Sequence, residues 1–150
     1  VILVTGAGGK TGRAVVNALA RWDEPVRALV RREEQINELR ALGARQAISG
    51  DLRDVQLMRS AFQGVRAVYA IFPNMSPDEM TMAEDALAAA KTAGVEHFVY
   101  HSVLHPQVEA MPHHWLKMRV EERLFTSGLN FTILQPAVYM QNVLGYWEAI

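Results

Sequence analysis

The chain has 150 residues, 50% of them hydrophobic and 21% charged, with a formal net charge of −1 and no cysteine. That leaves room for one domain with a substantial core, and it excludes a basic field for nucleic acid, disulfides, thiolate metal sites and cysteine nucleophiles. Apolar runs such as Ala67 to Phe72 fall far short of the roughly 20 residues that span a bilayer, and no signal-peptide pattern stands at the front. The expectation is a cytoplasmic protein without a membrane or nucleic-acid partner. Val1 already lies in an apolar strand and Ile150 in an amphipathic segment, the pattern of a piece cut from a longer protein.

In chain order, strand-like and helix-like patterns alternate. Val1 to Val4 is a short apolar run stopping at a glycine cluster, as a buried parallel strand does. Val15, Leu19 and Trp22 follow at helical spacing. Val26 to Val30 reads as the second strand, and a charged helix carries Ile36, Leu39 and Leu42. Gln46 to Ile48 is a short third strand, after which Val55, Met58 and Phe62 mark one helix face. Val65 to Phe72 is the fourth strand. Pro77 suits a helix start, Met80, Ala83, Leu87 and Ala90 form the stripe behind it, and Gly94 stops it. His97 to His101 is the fifth strand, Leu116, Val120 and Leu124 stripe a helix that ends near Gly128, and Asn130 to Leu134 is the sixth strand. This alternation predicts one α/β domain over residues 1–150. Its form is a Rossmann-type doubly wound parallel sheet of strand order 3-2-1-4-5-6, with helices on both faces and a ligand crevice near the first and fourth strands.

The first turn reads Thr5-Gly6-Ala7-Gly8-Gly9-Lys10-Thr11-Gly12. Between a strand and a helix, glycine is needed at Gly6 for the tight turn, at Gly9 for close approach of a pyrophosphate and at Gly12 for helix–strand packing. Gly8, Lys10 and Thr11 complete the cradle, where the amides of the helix start face the phosphates. The alternative is a glycine-rich turn without a ligand. The second strand runs into Arg31 and Arg32, where an NAD site would place a carboxylate; Asp23 and Glu24 stand at the strand's other end. Arg31 there selects NADP(H) over NAD(H) through paired hydrogen bonds to a 2′-phosphate, the alternative being a solvated charge at a helix start. After the third strand, Asp51 offers an acceptor for the adenine amino group and Leu52 an apolar wall, while Asp51 or Asp54 could equally cap the next helix.

The glycine turn, the paired arginines, Gly50-Asp51-Leu52 and the helix segment Lys117 to Leu124 together resemble the short-chain dehydrogenase/reductase superfamily. The ending, Ser127 to Pro136 followed by Tyr139-Met140-Gln141-Asn142, is similar to its atypical NmrA-like branch, which holds quinone reductases and NADP-sensing regulators. The resemblance implies that Lys117 contacts the cofactor, that Tyr139 and Asn142 line the nicotinamide end, and that Phe72 passes near the ribose or pyrophosphate. It also implies a catalytic Tyr-x-x-x-Lys pair, yet the residue four before Lys117 is His113. An imidazole can donate a proton near neutral pH, so His113 is the candidate acid beside Lys117. Ser102, at the end of the fifth strand, sits where that superfamily often carries a serine; a hydroxyl satisfying nearby backbone is the other reading. His101 and His105 are separated from a shared helix face by the strand and by Pro106, so no metal site is expected.

Two functions follow. One is an NADPH-dependent reductase of a small quinone, carbonyl or related acceptor, lacking the usual tyrosine. The other is a regulator that reads NADP(H) occupancy and passes it to a protein partner. The oligomeric state is left open.

Overall fold

The computed structural model describes residues 1–149. Its order is β1 (Ile2–Val4), α1 (Lys10–Arg21), β2 (Val26–Val30), a 3-10 turn (Glu33–Gln35), α2 (Ile36–Ala41), β3 (Gln46–Ser49), α3 (Val55–Phe62), β4 (Ala67–Ala70), α4 (Glu79–Ala93), β5 (His97–His101), α5 (Pro112–Phe125), β6 (Phe131–Leu134) and a closing 3-10 stretch (Met140–Ala149). The six strands are parallel in the order β3-β2-β1-β4-β5-β6. The chain is an α/β protein of the doubly wound type.

Alternation along each strand sends side chains to opposite faces, so each strand serves two cores. Leu3, Leu29, Val68, Phe98 and Tyr100 pack under Met58 and Phe62 of α3, Met82 and Ala86 of α4, and Val120 and Leu124 of α5. Val4, Val26, Ala28 and Val30 face the other way, against Val16 of α1 and Leu39 of α2. Ile2 pairs with both Val26 and Ala67, which places β1 beside β2 on one side and β4 on the other. The chain direction of winding reverses there, and the splayed connections leave a crevice beyond the strand ends.

Local chemistry explains most boundaries. Asp54 caps α3, accepting from the amides of Gln56 and Leu57 at 2.9 and 3.1 Å. Gly94 ends α4 in the left-handed conformation, at φ +68. The fourth strand is shorter than its apolar run. Beyond Ala70 the Ile71 amide donates to Thr5 Oγ1 at 2.8 Å, and Thr5 Oγ1 donates to the Ile71 carbonyl at 2.9 Å. A side chain thus replaces the strand ladder where the crevice opens. Trp22 departs from its expected stripe: it falls just past α1 and is 77% exposed, while Val16 supplies the buried contact of that helix.

Candidate functional site

Two adjoining cavities occupy the crevice, of about 420 and 290 Å³, and they share Ile71, Phe72 and Asn74. Gly6, Gly9, Arg31, Asp51, Leu52 and Arg53 line the first. Thr11, His101, Ser102, Lys117, Tyr139 and Asn142 line the second.

The glycines of the turn do different things. Gly6 has φ +58, and a β-carbon there would sit 2.9 Å from the Ile71 carbonyl oxygen. A β-carbon at Gly12 would overlap the Gly6 carbonyl and the Ala7 backbone, so glycine there lets α1 lie on the turn. At Gly9 the nearest atom to a β-carbon would be the Gly6 carbonyl oxygen at 3.4 Å. The fold tolerates a side chain at Gly9; what glycine keeps is bare backbone on the first cavity. No side chain caps α1, whose Gly9 carbonyl accepts from Arg13. An uncapped twelve-residue helix beginning at such a turn suits the phosphates of a dinucleotide. Gly8 lies outside both linings, its carbonyl taken by Arg13 Nε at 2.9 Å, and Lys10 is exposed at the helix start.

Arg31 is exposed on the rim of the first cavity, and Leu52 is a buried part of its wall. Asp51 accepts from Arg53 Nε at 3.0 Å, Nη2 at 2.6 Å and the Arg53 backbone amide at 2.9 Å. Those hydrogen bonds hold its carboxyl well below the usual range. Asp51 is therefore on the cavity wall but engaged by Arg53, while Asp54 does the capping.

The second cavity has a buried floor. Lys117 Nζ lies 2.7 Å from Glu79 Oε1 and 5.6 Å from the centre of the Tyr100 ring. The Tyr100 hydroxyl donates to the same Glu79 oxygen at 2.8 Å, and burial pushes its pKa far above the usual phenol value, with the Glu79 charge adding to it. Glu79 Oε2 is buried without a partner. Ser102 Oγ donates to Glu121 Oε1 at 2.5 Å, and Gln135 donates to both Glu121 oxygens at 3.0 Å. Its hydroxyl is thus held by a carboxylate instead of backbone.

Along the wall runs a chain of hydroxyls and imidazole. Thr11 Oγ1 is 2.9 Å from the Tyr139 hydroxyl, which is 3.0 Å from His101 Nε2; His101 Nδ1 is 3.1 Å from the Tyr69 hydroxyl. Burial, and then the Lys117 charge, lower the His101 pKa below its ordinary value. His113 stands apart. It is half-buried in the first turn of α5, its ring edge-on to His114 with centroids 4.5 Å apart, and it lines neither cavity.

Glu79, Tyr69 and the placement of His101 escaped sequence reasoning. Glu79 is the first residue of α4, two after Pro77, where an acid reads as a dipole partner. Tyr69 and His101 meet only because Tyr69 pairs with Val99, which puts His101 two residues on along the same face.

A doubly wound parallel sheet whose glycine turn opens onto a crevice at the β1/β4 switch defines the dinucleotide-binding class of α/β domains. The NmrA-like family model matches residues 1–149, and the chain belongs to that family. It is 37% identical over 152 residues to the NAD(P)H azoreductase of Xenophilus azovorans, across 100% of this chain and 52% of that protein. It is 30% identical over 148 residues to quinone oxidoreductase 2 of Escherichia coli K12, across 96% of this chain and 51% of that protein. The crystal structure of the E. coli NADPH-dependent quinone oxidoreductase QOR2 complexed with NADPH superposes with a TM-score of 0.85 at 28% identity, across 99% of this chain and 53% of that one. The chain spans about half the length of the curated relatives it matches. Among the described residues no helix is long and apolar enough to cross a membrane.

Proposed function

We propose that this chain is the NADP(H)-binding half of a reductase that passes hydride from NADPH to a small acceptor of the quinone, azo or carbonyl kind. The observation that carries this reading is the continuity of the crevice: one cavity begins at the glycine turn and Arg31, and its neighbour ends on Lys117 and Tyr139. The relatives named as NAD(P)H azoreductase and quinone oxidoreductase support the acceptor class.

Gly9 and the uncapped start of α1 take the pyrophosphate, and Arg31 takes the 2′-phosphate, which sets the preference for NADP(H). Leu52 and Asp51 border the adenine, and Phe72 sits at the passage between the cavities. Lys117 has two N–H groups left after Glu79 and offers them to the ribose hydroxyls, while Tyr139 and Asn142 border the nicotinamide. Bound NADPH supplies the hydride. The walls of the second cavity orient the acceptor and limit water around it.

The test is NADPH oxidation by the full-length protein against a panel of quinones, azo dyes and aldehydes. Turnover with at least one acceptor is expected. Tight NADPH binding with no turnover on any of them would move the assignment to a cofactor-sensing regulator with a protein partner.

A further inference from the structure

We infer that Tyr139 is the proton donor to the acceptor and that His101, backed by Tyr69, is its positioning residue and proton supply; the inference rests on the reductase reading. Every hydride added to a C=O or N=N bond leaves an electron pair on oxygen or nitrogen that must take a proton. The superfamily's usual donor position is occupied by His113, which lines neither cavity. The other hydroxyls at the second cavity's floor are committed: Ser102 to Glu121, and Tyr100, fully buried, to Glu79. Tyr139 lines that cavity, and its hydroxyl lies between two other lining residues, Thr11 at 2.9 Å and His101 Nε2 at 3.0 Å.

A concerted relay through an imidazole needs one ring nitrogen to donate while the other accepts, which is the arrangement of the neutral ring. Burial and the nearby Lys117 favour that form of His101. Its two nitrogens contact Tyr139 and Tyr69 at 3.0 and 3.1 Å. As hydride reaches the acceptor, the π pair moves to the acceptor's oxygen or nitrogen. The Tyr139 O–H bond breaks toward that atom, which replaces Thr11 as the hydroxyl's acceptor. The Tyr139 oxygen takes the Nε2 proton, Nδ1 takes the Tyr69 proton, and half-buried Tyr69 regains one from water. One hydride and one proton reach the acceptor, and the protein regains its starting number of protons with the His101 proton now on Nδ1. Once product leaves and water enters the second cavity, the reverse shift runs through the same hydroxyls, from cavity water to Tyr139, to Nε2, and from Nδ1 out through Tyr69. It restores the Nε2 tautomer for the next turnover.

The experiment compares two acceptors in single-turnover mixing with the full-length protein. A quinone needs a proton with its hydride, whereas a cationic triarylmethane dye takes hydride at its central carbon and becomes neutral without one. Tyr139→Phe should lower the quinone-to-dye rate ratio at least about tenfold, and His101→Ala should lower it in the same direction, since a positioned general acid contributes about 10²–10⁴-fold. Ring-¹⁵N histidine spectra of the cofactor-free protein should show His101 neutral at pH 7 with its proton on Nε2, and Tyr139→Phe should shift that resonance. Equal slowing of both acceptors, or an imidazolium at His101, would overturn the relay. If the unmodified protein reduces neither acceptor, it is the reductase reading that fails.

Discussion

In the cavity beside the glycine turn, Asp51 and Arg53 meet at 2.6 Å with 40% and 55% of their side chains exposed; at the neighbouring cavity Lys117 reaches from the wall to Glu79 behind it at 2.7 Å, with 8% and 1% exposed. The distances are nearly equal and the energetics are not. Water screens the first pair, so either partner can be lost at little cost, and both remain free to rearrange around a ligand. The second pair has traded its hydration for its mutual contact, the Tyr100 hydroxyl on Glu79 and the Tyr100 ring near Lys117, so removing one partner leaves a buried charge uncompensated. The open end is built to accommodate, the closed end to hold a fixed geometry.

The sharpest way to break that contrast is at Glu79. Glu79→Leu should destabilise the full-length protein by about 3–5 kcal/mol in urea unfolding, because the Lys117 ammonium loses its partner in a dry site. Adding Lys117→Met should recover a large part of that loss. Asp51→Asn, at the exposed pair, should be barely measurable in the same assay. If Glu79→Leu is equally mild, the second cavity is wetter than its exposures imply.

The glycine turn offers a finer cut, between binding and packing. Gly9→Val should abolish NADP(H) binding by calorimetry, a loss of at least about a hundredfold for the pyrophosphate contacts, with a native circular dichroism spectrum. Gly12→Val should lower stability first, since its β-carbon has no place beside the Gly6 carbonyl and Ala7. Tight binding by Gly9→Val would put the pyrophosphate elsewhere.

Much of the open end was legible in the sequence and much of the closed end was not. The strand order follows from alternating apolar runs and helical stripes, and the glycine turn announces itself because a helix start gains nothing from so many glycines. Arg31 is legible because it follows a strand directly, so its position in space is set by its position in the chain. Glu79, Tyr69 and His101 carry no such local mark. Their roles arise from contacts across 38 residues for Glu79–Lys117 and 32 for Tyr69–His101, fixed only when strand register and helix rotation are known. Trp22 shows the converse: helical spacing placed it on the buried stripe, but the helix ends one residue before it.

The smallest of these effects, and the one that most sharpens the reading of the open end, concerns which arginine discriminates between cofactors. Both Arg31 and Arg53 line the first cavity. Arg53 already spends its guanidinium on Asp51, and its Nη1 lies 3.5 Å from Asp78, so its charge is largely matched within the protein. Arg31 has no comparable ion pair among the described residues and stands at the end of β2, where the adenosine ribose of a dinucleotide lies in this class of fold. A charge-assisted contact of about 1.5–3 kcal/mol corresponds to roughly ten- to hundredfold in affinity. Arg31→Ala should therefore weaken NADP(H) binding by about that factor while leaving NAD(H) nearly unchanged, and Arg53→Ala should change the preference less. The pH dependence has a definite sign. A phosphate monoester loses its second proton near pH 6, about as phosphoserine does, so affinity for NADP(H) should rise from pH 5 to pH 7 while that for NAD(H) stays flat. Asp51 does not reverse this, because Arg53 keeps it ionised throughout that range. Calorimetric titration of both cofactors at the two pH values, on unmodified protein and on both variants, checks every part. Equal affinity for the two cofactors in the unmodified protein would remove Arg31 from the role, and a larger loss of preference in Arg53→Ala would transfer the role to Arg53.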